Sequence, residues 1–254
     1  DTTTISGDMV YALLRDHRGE IWVGTRTGLD RFDLAAQTFR RFTSQHPERA
    51  FSSRTVTFLL EDSRHYIWIG TTNGVTRGSP DRKEGVAFPG DRFSNDVVTC
   101  LAYDQGQLWI GTRNGLNYMN PATGQTGTVS TGDGILEGII SSIRPGEDGL
   151  LWISTNRGLV RYDPKTQKKQ LFDTRDGLQN NQFILASSCK ASDGLMLFGG
   201  INGISYFYPA ELRLLSFPLE IRLTALHVLG NEMTAEHPFG ILEKHINSTS
   251  SIVL

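Results

Sequence analysis

Apolar and polar residues alternate along this chain in short runs with a period of two, without the longer rhythm of an amphipathic helix. Val10-Tyr11-Ala12-Leu13-Leu14, Val56-Thr57-Phe58-Leu59-Leu60 and Val97-Val98-Thr99-Cys100-Leu101 each lead into an Asp or Gly turn and then a second run, such as Ile21-Trp22-Val23-Gly24-Thr25. β-Branched and aromatic residues dominate both runs, so each pair reads as a hairpin. Three residues beyond Thr25, Thr71, Thr112 and Thr155 stands a glycine, Gly28, Gly74, Gly115 or Gly158, that opens a third strand. Asn73-Gly74, Asn114-Gly115 and Asn202-Gly203 offer the positive-φ pair of a tight hairpin turn. Pro80, Pro121, Pro164 and Pro209 mark the exit from that strand, where no ladder donor is needed. A fourth strand closes several units, most clearly at Phe39-Arg40-Arg41-Phe42 and Gln170-Leu171-Phe172.

These units are copies of one phrase. IWVGTRTGL from Ile21 returns as IWIGTTNGV from Ile67, LWIGTRNGL from Leu108, LWISTNRGL from Leu151 and, degenerate, as MLFGGINGI from Met196, where Leu197 replaces the tryptophan. Trp22, Trp68, Trp109, Trp152 and Leu197 are 41 to 46 residues apart, the period of a four-stranded propeller blade. Helical repeats of similar length fail because the units read as strands. The expected fold is all-β: a β-propeller of four-stranded antiparallel blades over residues 1–212, with five repeats. Five blades can close by themselves or belong to a larger ring, and periodicity allows both. From Phe217 to Leu229 one long alternating run precedes a turn at Gly230-Asn231-Glu232, and no tryptophan phrase returns. Residues 213–254 therefore read as a second domain, the first strands of a β-sandwich, and both chain ends read as cut.

Composition narrows the function. A net charge of −2 leaves no electrostatic footprint for nucleic acid or an anionic membrane. No run approaches the roughly 20 apolar residues of a spanning helix, and the first residues carry no signal-peptide pattern. The six histidines, His17, His46, His65, His227, His237 and His245, lack metal-ligand spacing and sit at different offsets from the tryptophans, so they read as turn or surface residues. No metal and no cofactor are expected. Cys100 and Cys189, two blades apart, read as buried small hydrophobes. Asp16, Asp62, Asp104 and Asp148 precede hairpin turns, where aspartate bonds the local backbone. A tryptophan recurring once per blade at one offset reads as packing between sheets. No catalytic signature is present, and no enzyme activity is expected of the chain.

The unit V-x-x-L-x-x-D, I-W-I-G-T-x-x-G-L, R-x-D resembles the two-component regulator propeller repeat over about residues 7 to 209. Asp176 to Phe183, Phe198 to Gly203 and Phe207-Tyr208-Pro209 resemble the last blade of such a propeller, and the segment from Phe217 resembles the start of the triple-tyrosine sandwich domain. The resemblance implies the last five blades of a seven-bladed ring in the periplasmic sensor region of a hybrid two-component system histidine kinase. It implies an oligosaccharide ligand, a homodimeric parent receptor and membrane attachment only through a downstream helix. Ligand contacts are expected where the blades differ, in the turns just before the spaced glycines. The candidates are Arg26, Asn73, Arg113, Asn114, Asn156 and Arg157, whose guanidinium and amide groups suit hydroxyls or uronate carboxylates. The irregular, charged segment from Ser79 to Arg92 is a second candidate contact loop. A protein-interaction scaffold and a propeller lyase are the alternatives, the latter calling for convergent His and Glu residues.

Overall fold

The structure, a computed structural model, describes residues 4–42, 52–79, 85–130, 132–212, 227–228 and 231–232. The chain divides into two compact units, Asp1–Leu212 and Arg213–Leu254. In the first, five antiparallel sheets follow one another as the blades of a β-propeller. Blade 1 holds β1 Val10–Arg15, β2 Ile21–Thr25, β3 Leu29–Asp33 and β4 Thr38–Phe42. Blade 2 holds β5 Val56–Glu61, β6 Ile67–Thr71, β7 Gly74–Gly78 and β8 Gly85–Phe88, and blade 3 holds β9 Val98–Asp104, β10 Gln107–Thr112, β11 Gly115–Met119 and β12 Thr126–Thr128. Blade 4 holds β13 Ile140–Pro145, β14 Leu151–Thr155, β15 Leu159–Tyr162 and β16 Lys169–Phe172, and blade 5 holds β17 Phe183–Lys190, β18 Met196–Gly200 and β19 Gly203–Phe207. The fifth blade thus has three strands among the described residues, where the repeat led us to expect four. In the second unit β20 His227–Val228 pairs antiparallel with β21 Asn231–Glu232, so two residues of the expected turn Gly230-Asn231-Glu232 are strand instead, and the rest of the sandwich reading lies outside the described residues.

Successive blades meet through their first strands, β1 beside β5, β5 beside β9, β9 beside β13 and β13 beside β17. The joint is a knob in a slot. The strand glycines Gly24, Gly70 and Gly111 leave room for Val56, Val98 and Ile140 of the following blade, and a Cβ built on them would meet those side chains at 2.5, 2.9 and 2.7 Å. Each knob is followed by a β-bulge, so that Thr57, Thr99 and Ser141 have no partner across the strand pair. The bulge turns their hydroxyls to the next blade. Thr57 donates to the Val98 carbonyl at 2.7 Å, Thr99 to Ile140 at 2.5 Å and Ser141 to Phe183 at 3.1 Å.

Within the blades the tryptophans fill the core, at 0 to 5% exposure. Asp16 Oδ2 accepts the Trp22 indole N–H at 2.9 Å, and Asp62 Oδ2 accepts that of Trp68 at 2.7 Å, while each Oδ1 accepts two backbone N–H groups of its turn. The aspartates therefore join turn to core, and turn chemistry alone did not show the second half. In blade 4, Gly146 takes the aspartate position and the buried Trp152 Nε1 has no partner among the described residues.

Among the described residues the two end faces are bare. Leu13 is 69% exposed, whereas its equivalents Leu59, Leu101 and Ile143 are 6%, 2% and 2% exposed. On blade 5, Ile204 is 60% exposed at a position where Leu29, Val75, Leu116 and Leu159 are sealed. Val10 is a knob without a slot, and Gly199 is a slot whose three nearest atoms all belong to Ser187 of its own blade. Among the described residues the five blades form an open arc, with about 1.5–3 kcal/mol of burial per large side chain unrealised at each face. The surfaces left over are those a further blade covers elsewhere in the molecule.

Trp68→Phe is expected to destabilise the chain more than Trp152→Phe, by about 1–3 kcal/mol in urea unfolding, because only the former strands a buried carboxylate oxygen. Equal losses would remove the indole bond from the stability of the blade.

Candidate functional site

The β2–β3 turns and the segments entering each first strand share one rim, the upper rim; the β1–β2 turns form the lower. The upper turns rest on a threonine latch. Thr25, Thr71, Thr112 and Thr155 each accept the backbone N–H two residues on and donate to the carbonyl of Gly28, Gly74, Gly115 or Gly158 at 2.9–3.0 Å. Gly74, Gly115 and Gly158 adopt φ of 93°, 125° and 141°, but the preceding Asn73 and Asn114 do not share the positive φ. The turn therefore departs from the expected Asn-Gly pair: the threonine hydroxyl does the work that a second left-handed residue would do.

A second polar layer lies beneath the latch. Ser6, Ser52 and Ser94 reach the hydroxyls of Thr25, Thr71 and Thr112 at 3.1, 2.8 and 3.0 Å. Their backbone N–H groups donate to the buried side chains of Asp30, Thr76 and Asn117. In blade 4 both partners change together, to the fully buried Leu136 and Val160. In blade 5 the Gln179 N–H donates to Ser205 Oγ. Sequence reasoning passed over these positions; the available signal is a serine four residues before the knobs Val10, Val56 and Val98.

Above this scaffold all six candidate residues are exposed at equivalent turn positions of four adjacent blades. Arg26 belongs to blade 1, Asn73 to blade 2, Arg113 and Asn114 to blade 3, and Asn156 and Arg157 to blade 4. Two of them also serve the scaffold: Asn73 Nδ2 donates to the Ser52 carbonyl at 3.1 Å and Arg157 Nη1 to Gly134 at 3.2 Å. Arg26, Arg113 and Asn114 make no side-chain hydrogen bond among the described residues. Their charge and amide groups are presented to solvent on turns whose backbones are fixed, an arrangement suited to a polar ligand spanning several blades. The second candidate loop, Ser79 to Arg92, contains strand β8 and a 3-10 turn at Gly90–Arg92, with residues 80–84 outside the described residues. It is the edge of a blade, because the third strand still has an unpaired ladder to fill.

Other groups have structural explanations. Burial pushes the Cys100 thiol up to about 12, which fits the buried reading. Cys189 does not fit it: both cysteines are free, and Cys189 is exposed on the last blade, whose face nothing covers among the described residues. Arg144 crosses from blade 4 to blade 5, its Nε donating to Ser188 Oγ at 2.8 Å. Burial raises the Asp104 carboxyl above its ordinary range. Two recesses of about 240 Å³ flank blade 5, one lined by Trp152, Phe172 and Tyr206 and the other by Lys190, Asp193 and Tyr208. Both fall below the ~300–1,000 Å³ usual for small-molecule pockets. No helix among the described residues is long and apolar enough to cross a membrane.

The model of the two-component regulator propeller matches residues 4–27, 50–73 and 92–114. The chain is similar to the extracellular domain of a putative hybrid two-component system from B. thetaiotaomicron, at 27% identity and TM-score 0.69, over 79% of this chain and 28% of that one. A second such domain from the same organism is 24% identical at TM-score 0.66, over 80% of this chain and 28% of that one. Virginiamycin B lyase from Staphylococcus aureus shares the fold at 15% identity and TM-score 0.60, over 82% of this chain and 72% of that one. The chain thus spans 28% of the length of the two-component domains it matches. No match is found among curated proteins.

In the folded protein iodoacetamide is expected to label Cys189 and spare Cys100, with mass spectrometry of the digested chain as the readout. Equal labelling of both would contradict the burial of β9.

Proposed function

We propose that this chain, which carries two-component regulator propeller repeats, belongs to the ligand-sensing extracytoplasmic region of a hybrid two-component sensor. In this reading the upper rim recognises an oligosaccharide, and the signal passes through a dimeric receptor and a downstream membrane helix to a histidine kinase. The region would lie in the periplasm. The likeness to an extracellular domain of a hybrid two-component system at 27% identity carries the proposal. Three features support the ligand class. The exposed rim residues are arginine and asparagine, which offer several directed donors to hydroxyls and carboxylates. They vary between blades on turns that do not vary, so specificity changes without disturbing the fold. The chain's net charge of −2 gives no electrostatic footprint for nucleic acid. The likeness to a lyase is one of fold alone, and the proposal assigns the chain no catalysis.

Isothermal titration of the complete sensor region with a panel of neutral and acidic oligosaccharides tests the reading. The double variant Arg26→Ala, Arg113→Ala is expected to weaken binding at least about tenfold, or ~1.4 kcal/mol, while thermal stability stays within about 0.5 kcal/mol of the parent. Binding that survives the double variant unchanged would take the arginines out of the site.

A further inference from the structure

At the lower rim, His17, Glu61 and His65 converge across the interface between blades 1 and 2. His17 leaves the β1–β2 turn beside Asp16, Glu61 ends β5, and His65 lies in the β5–β6 turn three residues past Asp62. The His17 backbone N–H donates to Glu61 Oε2 at 2.8 Å, which directs the other oxygen, Oε1, toward both imidazoles. Oε1 contacts His17 Nδ1 and lies 3.3 Å from His65 Nδ1. The two rings stack, with centroids 3.7 Å apart and planes at 27°. The three donor atoms lie within 4.8 Å of one another.

The turn itself does not ask for a histidine. Three residues before each tryptophan position the other blades place Gly19, Gly106, Gly149 and Gly194, all at φ between 77° and 90°. His65 occupies that place at φ 65°, a left-handed conformation that a side chain makes costly. One blade in five thus accepts backbone strain, and its side chain meets the second imidazole and the carboxylate of the neighbouring turn.

We propose that His17 Nδ1, Glu61 Oε1 and His65 Nδ1 bind a divalent transition-metal ion of the zinc class, with the remaining coordination open to solvent. Two neutral imidazoles and one carboxylate are a zinc donor set, whereas magnesium and calcium favour oxygen alone. The backbone N–H on Oε2 supplies the outer-shell bond that orients a ligating carboxylate. Both turns are anchored by the Asp16 and Asp62 bonds to their backbones, so the donors hang from fixed points. The imidazoles are 32% and 50% exposed, which leaves room to rotate out of the stack and aim both Nδ1 lone pairs at one point. A bound ion would tie blade 1 to blade 2 at the rim opposite the arginines, in a site independent of the oligosaccharide reading.

Equilibrium dialysis of the folded chain against zinc chloride, with thermal unfolding alongside, tests the proposal. His65→Gly is the informative variant, since it restores the residue that four blades use in this turn and keeps the fold. The parent is expected to bind one more zinc ion than His65→Gly and to unfold at a higher temperature with zinc than with EDTA. His65→Gly should unfold without zinc at the parent's temperature or above it, and gain nothing from zinc. His17→Ala and Glu61→Gln should each weaken zinc binding at least about tenfold. Zinc uptake by His65→Gly equal to the parent's, or no uptake by the parent at about 100 μM free zinc, would overturn the proposal.

Discussion

Everything in the propeller unit depends on how one blade grips the next. A β-branched residue, Val56, Val98 or Ile140, enters the space that a strand glycine leaves open in the preceding blade. The bulge beside it sends a hydroxyl across the joint to a backbone carbonyl. Burial and a directed bond thereby act at the same place. The first excludes water and the second fixes the height of one blade against its neighbour, so the turns of successive blades come level. The bare faces at Leu13 and Ile204 are the cost of leaving that grip unused.

The joint also divides labour between the two rims. Below, Asp16 and Asp62 connect turn backbones to tryptophans in the core, and a change there would reach the packing. Above, the threonine latch satisfies the turn with its own side chain, so that some side chains at the next two positions make no hydrogen bond while others, such as Asn73 and Arg157, brace the scaffold. Arg26, Arg113 and Asn114 are the ones without a side-chain hydrogen bond among the described residues. The upper rim thus carries side chains that differ from blade to blade on turns held by the same bonds. The lower rim shows the opposite case at His65, where a side chain is kept although the backbone prefers glycine.

Much of this was legible in the chain. The spacing of the tryptophans, the period-two runs and the turn glycines identify blades and their strand order, because those signals act over a few residues. The level of the candidate rim residues followed from the same register. Other features were not legible. Cys189, like Cys100, lies in the first strand of its unit, yet it stands opposite Leu197 where Cys100 stands opposite Gly111, and it is exposed on the last blade, whose face nothing covers among the described residues. The segment near Gly85 looked irregular because its charge and glycine content hid a short edge strand that only pairing with β7 reveals. The serine, threonine and asparagine network under the upper turns is spread over some twenty residues per blade and looks like ordinary polar sequence until the strands bring it together.

The sequence alone determined the repeat, the all-β class, the turn positions and the absence of a charge pattern for nucleic acid, since each is a property of residues close along the chain. Only the tertiary structure decided which glycines are slots, which hydroxyls cross between blades and which histidines meet. His17 and His65 are 48 residues apart and sit at different offsets in their repeats, so no local pattern joins them. They become neighbours because packing sets two turns side by side, and the distance between blades is fixed by the burial of a valine against a glycine.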